Sequence, residues 1–153
     1  MRVITVRQPW AWAIIHGDKH VENRVRNVAG DYRGPLAIHA GLAADTAAQG
    51  AWPRGEFVPR RAWTQRGLII GVVNLWAVHR HDGSEHFLCC PNAPDKYARW
   101  AQPDAWHLCL SLPRALSEPI PWKGALGMRT LPEETAQLVL ERAISKEASN
   151  GGY

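Results

Sequence analysis

The residues best suited to chemistry lie in one short run, Gly17-Asp18-Lys19-His20-Val21-Glu22-Asn23-Arg24, which reads G-x-K-x-x-E-x-R. Ionisable side chains of both signs follow a single glycine. If the run enters a strand, Glu22 and Arg24 point to one face, and Lys19, in the turn before it, can swing toward either. Lys19 and Arg24 could then hold a phosphate or a base edge while Glu22 accepts from an exocyclic amine. The same residues would also make an ordinary ion pair on a solvated strand edge, worth at most about 1 kcal/mol.

Two other groups of residues carry potential chemistry. His79, His81, His86, Cys89 and Cys90 cluster in sequence, with His107 and Cys109 further on. These are zinc-ligand types. Their spacing matches no common closed zinc module, however, and two adjacent sulfurs fit a tetrahedron poorly. Polar loop histidines and ordinary thiols are the simpler reading, so no metal and no cofactor is expected. The third group is the indoles, eight Trp against two Phe. Trp10 and Trp12 are two apart, so on a helix they cannot share a face; one belongs to a core and the other to a cleft wall. Trp52, Trp63, Trp100 and Trp122 fall in loops or near turns. Loop indoles beside Arg suit single-stranded or flipped bases, each stacked base contributing about 1–3 kcal/mol; they can equally plug the ends of a barrel. The chain has no Walker loop, dinucleotide fingerprint, Gly-x-Ser-x-Gly elbow or His-Glu-x-x-His pair.

Composition sets bounds on these readings. A chain of 153 residues with 46% hydrophobic content fits one domain with a real core. The formal charge is +4, and 14 of the 18 basic residues are Arg. Arg suits stacking and bidentate anion contacts, although the codon bias of a G+C-rich genome would also enrich it. Net charge alone is weak evidence for nucleic acid. The N-terminal apolar run is broken by Arg7, Gln8 and Pro9, unlike a secretory signal. No segment approaches the roughly 20 apolar residues of a membrane span. Three Cys, two of them adjacent, make no disulfide framework. A reducing cytoplasm is the expected compartment, with no membrane partner.

The elements that must position these residues follow from pattern. Arg2 to Val6 alternates as a strand. Gln8-Pro9 opens a helix with Trp10, Ala13 and Ile14 on one face, and Gly17 ends it. Lys19 to Val25 fits a turn running into a short strand, and Asn27 to Gly34 a loop. Leu36 to Ala40 is a second strand, and the Ala-rich stretch Leu42 to Gln49 predicts a short helix. Gly50 to Arg66 reads as an irregular surface or binding loop. Leu68 to Val78 is nearly all apolar, so it predicts a central strand, with Gly71 marking a bulge or a close backbone approach. His79 to Gln102 is a long polar connection. Trp106 to Leu112 and Ala125 to Arg129 predict two more strands. Thr130 and Glu133 fit a capping box opening a last helix, with Ala136, Val139, Leu140 and Ala143 on its apolar face. Several strands with few helices point to an α+β domain, a small and mostly antiparallel barrel with peripheral helices.

These segments together resemble the ASCH domain family, a branch of the PUA-like superfamily. The matching pieces are Arg7-Gln8-Pro9-Trp10-Ala11-Trp12, then Gly17-x-Lys19-x-x-Glu22-x-Arg24, then Tyr32-Arg33-Gly34-x-Leu36-x-Ile38-His39-Ala40. Gly67-Leu68-Ile69-Ile70-Gly71-Val72-Val73, Trp106-His107-Leu108 and Pro119-Ile120-Pro121-Trp122-Lys123-Gly124-x-Leu126-Gly127 follow in the family's order. The resemblance implies a PUA-like barrel of five or six strands over 1–130. Residues 131–153 would then form a C-terminal helix and tail packed on it or extending from it. It also implies a cleft, lined by the G-x-K-x-x-E-x-R segment, that takes RNA or a modified nucleobase. Some relatives are amidohydrolases acting on N4-acetylcytidine, with G-x-K-x-x-T-x-R; others are described as ribonucleases. Here Glu22 stands where that Thr would be, and Asn74 is the closest polar residue to the expected later Glu.

The expected function is therefore binding of RNA or a nucleoside, with Lys19 and Arg24 on a phosphate or carbonyl and Glu22 on an amine. Trp10 or Trp12 would wall the pocket and Arg7 and Asn74 line its floor. Arg33 and the Arg54–Arg66 loop would extend a basic track for the backbone. A hydrolase, with Lys19 or Glu22 as a base toward water, and a protein-interaction module of coactivator type are the alternatives. Oligomeric state is left open.

Overall fold

The computed structural model describes residues 1–48, 58–81 and 99–144. Gln49, Trp52, Arg54, His86, Cys89, Cys90 and the tail Ser149 to Tyr153 lie outside the described residues. The elements run β1 (Arg2–Gln8), α1 (Trp10–His16), β2 (Val21–Arg24), β3 (Gly34–Ala44), α2 (Arg61–Thr64), β4 (Leu68–Arg80), β5 (Trp106–Pro121), β6 (Met128–Thr130) and α3 (Glu133–Arg142). The six strands form one sheet in the order β2-β5-β4-β3-β1-β6. The β1–β3 pair is parallel and the other pairs are antiparallel. This is the expected α+β architecture. Among the described residues, no helix is long and apolar enough to cross a membrane.

Alternation in the strands sorts the core onto the two faces of the sheet. Ile4 and Val6 of β1 meet Leu36 and Ile38 of β3 and Leu108 and Leu110 of β5, and Ile14 and Ile15 of α1 close over them. On the other face Val3, Ala37, Ile69, Val72 and Leu116 pack under Val139 of α3. Each such buried aliphatic side chain contributes roughly 1.5–3 kcal/mol. The β4 strand is central, between β3 and β5, which explains its near-continuous apolar run. Gly71 sits at a register shift between β4 and β5. A Cβ there would press into the Ile15 side chain and come 2.8 Å from the Arg114 carbonyl. The close approach lets α1 lie directly on the sheet.

Among the described residues no backbone ladder closes the sheet into a barrel. β6 pairs with β1 only from Arg2 to Ile4, so the Thr5 carbonyl lies beyond the ladder. An Nη of Arg24, from the edge strand β2, donates to that carbonyl at 2.8 Å. One arginine thus bridges the seam that hydrogen-bonded strands leave open.

Several local expectations are corrected. Leu42, Ala43 and Ala44 belong to β3 rather than to a helix. Pairing of Gln8 with Ala44, and the Asp45 N–H donating to the Gln8 carbonyl at 2.7 Å, outweigh the helical propensity of Ala. The strand starting at Trp106 runs on to Pro121, with Leu112 at φ 50 marking an irregular turn of backbone within it. The capping box does not form. Thr130 is held in β6, and Pro132 occupies the cap position of α3 without a side-chain hydrogen bond. Leu138 packs against the core face under α3, whereas Leu140 is exposed.

Candidate functional site

Lys19 reaches its place through the end of α1. The N–H groups of Gly17 and Lys19 both donate to the Ala13 carbonyl, at 2.8 and 3.0 Å. Asp18, between them, takes the left-handed conformation at φ 57, which Asp tolerates better than most residues. The His20 carbonyl accepts from the Leu110 N–H at 2.8 Å and pins this turn to β5. β2 follows, pairing Glu22 with Leu108 and Arg24 with Trp106. Glu22 therefore shares a sheet face with a core leucine, and the ion-pair residues are drawn in from the surface.

The result is a buried charge network. Lys19 and Glu22 are 5% and 9% exposed. Lys19 Nζ donates to Glu22 Oε2 at 2.9 Å and to the Val21 carbonyl. An Nη of Arg24 lies 3.1 Å from Glu22 Oε1. Both carboxylate oxygens thus face a cation, which is the condition for keeping charges away from water. This excludes the solvated-edge alternative for the segment.

The network forms one wall of an open cleft of about 370 Å³ lined by Trp10, Lys19, Glu22, Asn23, Asp45, Arg99, Trp100, Ala101 and Gln102. Trp10 and Trp100 meet edge to face, with ring centroids 6.3 Å apart. Lys19 Nζ sits 6.0 Å from the Trp10 ring centroid, within cation–π range. Trp10 Nε1 donates to Asp45 Oδ2 at 2.9 Å, which fixes the indole. Asn23 ties the segment 100–102 to β2. Its amide donates to the Trp100 carbonyl at 2.8 Å, and its Oδ1 accepts from the Gln102 N–H at 2.9 Å.

The structure brings Trp10, Lys19 and Glu22 into the cleft lining and joins Arg24 to them through Glu22. Trp12 turns to the neighbouring apolar cluster and stacks near His16, centroids 5.4 Å apart. Arg7 is exposed, away from the lining. Arg33 closes its own loop, donating to the carbonyls of Gly30 and Tyr32. Asn74 is half-buried in β4 opposite Pro35 and Ser111, also outside the lining. Asp45, Asn23, Arg99 and Gln102 were not legible as site residues. Asp45 was hidden by the helical reading of its segment, and the others act through contacts distant in sequence.

Beside the cleft a histidine chain runs across β4 and β5. Cys109 Sγ lies 3.8 Å from His79 Nδ1, His79 Nε2 lies 3.1 Å from His107 Nδ1, and His107 Nε2 lies 2.6 Å from the Gln102 carbonyl. That carbonyl can only accept, so His107 donates to it from Nε2. Among the described residues no group of three His, Cys, Asp or Glu is arranged to hold a metal ion.

The comparisons with known proteins agree on the fold. A Tyr-to-Phe variant of the ASCH protein from Zymomonas mobilis superposes with a TM-score of 0.58 at 17% identity, covering 94% of this chain and 98% of that one. The same organism's ASCH protein without that substitution gives 0.53 at 16% identity, covering 94% and 96%. No curated protein matches the sequence. The family model for the ASCH domain matches residues 4–141, nearly the whole described chain. The chain, with its curled six-stranded sheet and its Lys19–Glu22–Arg24 segment at the mouth, belongs to the ASCH domain family.

Proposed function

We propose that this cleft binds a nucleobase, in RNA or in a free and modified nucleoside, and recognises it without turning it over. The family supports an RNA-binding or hydrolase-type role in general terms. The observation that carries the finer reading is the closed Lys19–Glu22–Arg24 network. Lys19 is already committed to two acceptors, and both Glu22 oxygens to cations. Such groups present a fixed pattern of charge and suit recognition better than proton transfer. Where acetylcytidine hydrolases of the family carry Thr, this chain carries Glu22. None of the described residues lining the cleft offers a hydroxyl or thiol nucleophile. The remaining walls supply what a base needs: the half-buried Trp10 ring for one face, Asp45 and Glu22 as acceptors for an amine, and Arg99 at the exposed rim for phosphate.

The test is a chromatographic assay of purified protein with N4-acetylcytidine and with labelled single-stranded RNA, binding being read in the same samples. Intact substrates with measurable binding, lost in Lys19→Ala, are the expected result. Deacylation or cleavage that disappears in Lys19→Ala would make the protein a hydrolase. Absence of both turnover and binding would favour a protein-interaction role.

A further inference from the structure

A second concavity, of about 710 Å³, opens on the other side of Thr5. It is made from two sequence segments that the first cleft does not use, Ile38-His39-Ala40-Gly41 and Pro121-Trp122-Lys123-Gly124. Its floor is the pair Thr5 Oγ1 and His39 Nδ1, 3.0 Å apart. The Ala125 N–H donates to Thr5 Oγ1 at 3.4 Å. The Thr5 hydroxyl is then free to donate to His39 Nδ1, which places the ring proton on Nε2. His39 is 1% exposed and its Nε2 is buried without a hydrogen-bond partner of good geometry, among the described residues. Glycines hold the space open. A Cβ at Gly124 would lie 2.8 Å from His39 Cε1 and 3.0 Å from Thr5 Oγ1, and one at Gly41 would lie 3.1 Å from the Thr5 methyl.

The surroundings are basic. Lys123 lines the concavity and is exposed, and no ion pair engages it among the described residues. Arg66, also exposed, donates to the carbonyl of Leu42, another lining residue, at 3.2 Å. Exposed Arg7 follows Thr5 by two residues on β1. Among the described residues no carboxylate lines the space, and the half-buried Trp122 offers an aromatic surface. Apolar walls, one aromatic ring, a few polar groups and a cationic rim are the features of a site for a planar base with an attached phosphate.

The two concavities are neighbours. Thr5 stands between them, its carbonyl accepting from Arg24 of the charge network and its hydroxyl meeting His39. Along β3 and one residue past its end, Gly41 borders the second and Asp45 the first. Four residues of strand span about 13 Å, a distance that a short single strand with splayed bases covers.

We propose that the Thr5–His39–Trp122–Lys123 pocket is a second nucleotide subsite, occupied by a nearby nucleotide of the single strand whose base fills the first cleft. It rests on the preceding reading of that cleft, and it makes the ligand a polymer rather than a free nucleoside. Trp122 stacks on the base and Lys123 neutralises a phosphate.

The experiment titrates cytidine and tetracytidylate RNA into wild type, Lys123→Ala, Gly124→Ala and Glu22→Gln, at several salt concentrations. Wild type should bind the tetranucleotide at least tenfold more tightly than cytidine. Lys123→Ala should weaken the tetranucleotide several-fold, reduce its salt slope by about 0.7, and leave cytidine unchanged. Gly124→Ala, which fills the floor, should weaken the tetranucleotide several-fold and leave its salt slope and cytidine binding unchanged. Equal affinity for cytidine and tetranucleotide, or a tetranucleotide insensitive to Lys123→Ala, would overturn the subsite while leaving the first cleft intact. Length-dependent binding that responds to Lys123→Ala but not to Glu22→Gln would keep the pocket as a nucleotide site but overturn the first cleft, and with it the claim that the two share one strand. A polyglutamate chain competing as well as the RNA would overturn the subsite, since the pocket would then be reading charge alone.

Discussion

At the scale of single residues, Glu22 is the hinge of the account. It faces Lys19 through one oxygen and Arg24 through the other, while 9% exposed. Removing it leaves two cations together without a counterion, so Glu22→Ala should cost about 3–5 kcal/mol of stability. Denaturant unfolding will measure this. Lys19→Met combined with Glu22→Leu should cost clearly less than the sum of the two single changes, because Lys19 and Glu22 then leave together and only Arg24 loses its carboxylate. A coupling near zero would mean that the pair is solvated after all. His39 gives a second prediction at this scale. Burial lowers its pKa below the ordinary imidazole value, and the main chain of Trp122 opposes part of that shift. The folded state then binds fewer protons than the unfolded state at pH values between the lowered pKa and about 6.5. Stability from this group is present above about pH 6.5 and lost as pH falls through the folded pKa. His16, lowered by burial and by Arg61, works in the same direction. Thermal unfolding across pH 5 to 7.5 should fall less steeply on acidification in His39→Gln than in wild type, and identical slopes would contradict the assignment.

At the scale of elements, close packing of α1 on β4 decides where the Lys19 turn ends up. Gly71→Ala would drive a methyl group into Ile15 and the Arg114 carbonyl. It should destabilise the protein by about 1–3 kcal/mol and displace α1, weakening ligand binding as well. Asn23→Ala should remove two hydrogen bonds to the Trp100–Gln102 wall, worth about 1 kcal/mol each. It should lower affinity more than stability. Much at this scale was legible in the sequence, and for physical reasons. The apolar run Leu68–Val78 could only be a central strand, Gly71 within it announced the bulge, and the pattern around Gly17 announced the end of α1. What was not legible depended on distant partners. Leu42 to Ala44 look helical in isolation and become strand because Gln8 pairs with Ala44. Thr130 looks like a helix cap and is instead consumed by β6 pairing with Arg2. Asp45 and Asn23 enter the cleft through bonds to Trp10 and to residues 100–102, which no local pattern encodes.

At the scale of the whole molecule, one side chain spans the seam between the sheet's edge and β1. Arg24 serves both Glu22 and the Thr5 carbonyl, tying the mouth of the first cleft to the floor of the second. A single Nη nitrogen meets both acceptors, and lysine keeps the charge but ends one bond short of that position. Arg24→Lys should therefore loosen both concavities together, with faster amide exchange at Thr5 and Val6 and at Val21 to Asn23. Exchange changes confined to β2 would show that the seam is held by other means. The central claim is that the Lys19–Glu22–Arg24 network is a fixed surface for reading a base, and its most direct test is a tryptophan-fluorescence titration of cytidine into wild type and Glu22→Gln, with circular dichroism confirming that the variant is folded. Saturable quenching of the cleft indoles in wild type and at least a tenfold loss of affinity in the variant are expected. Unchanged affinity in a folded Glu22→Gln protein, or no quenching in wild type, would contradict it.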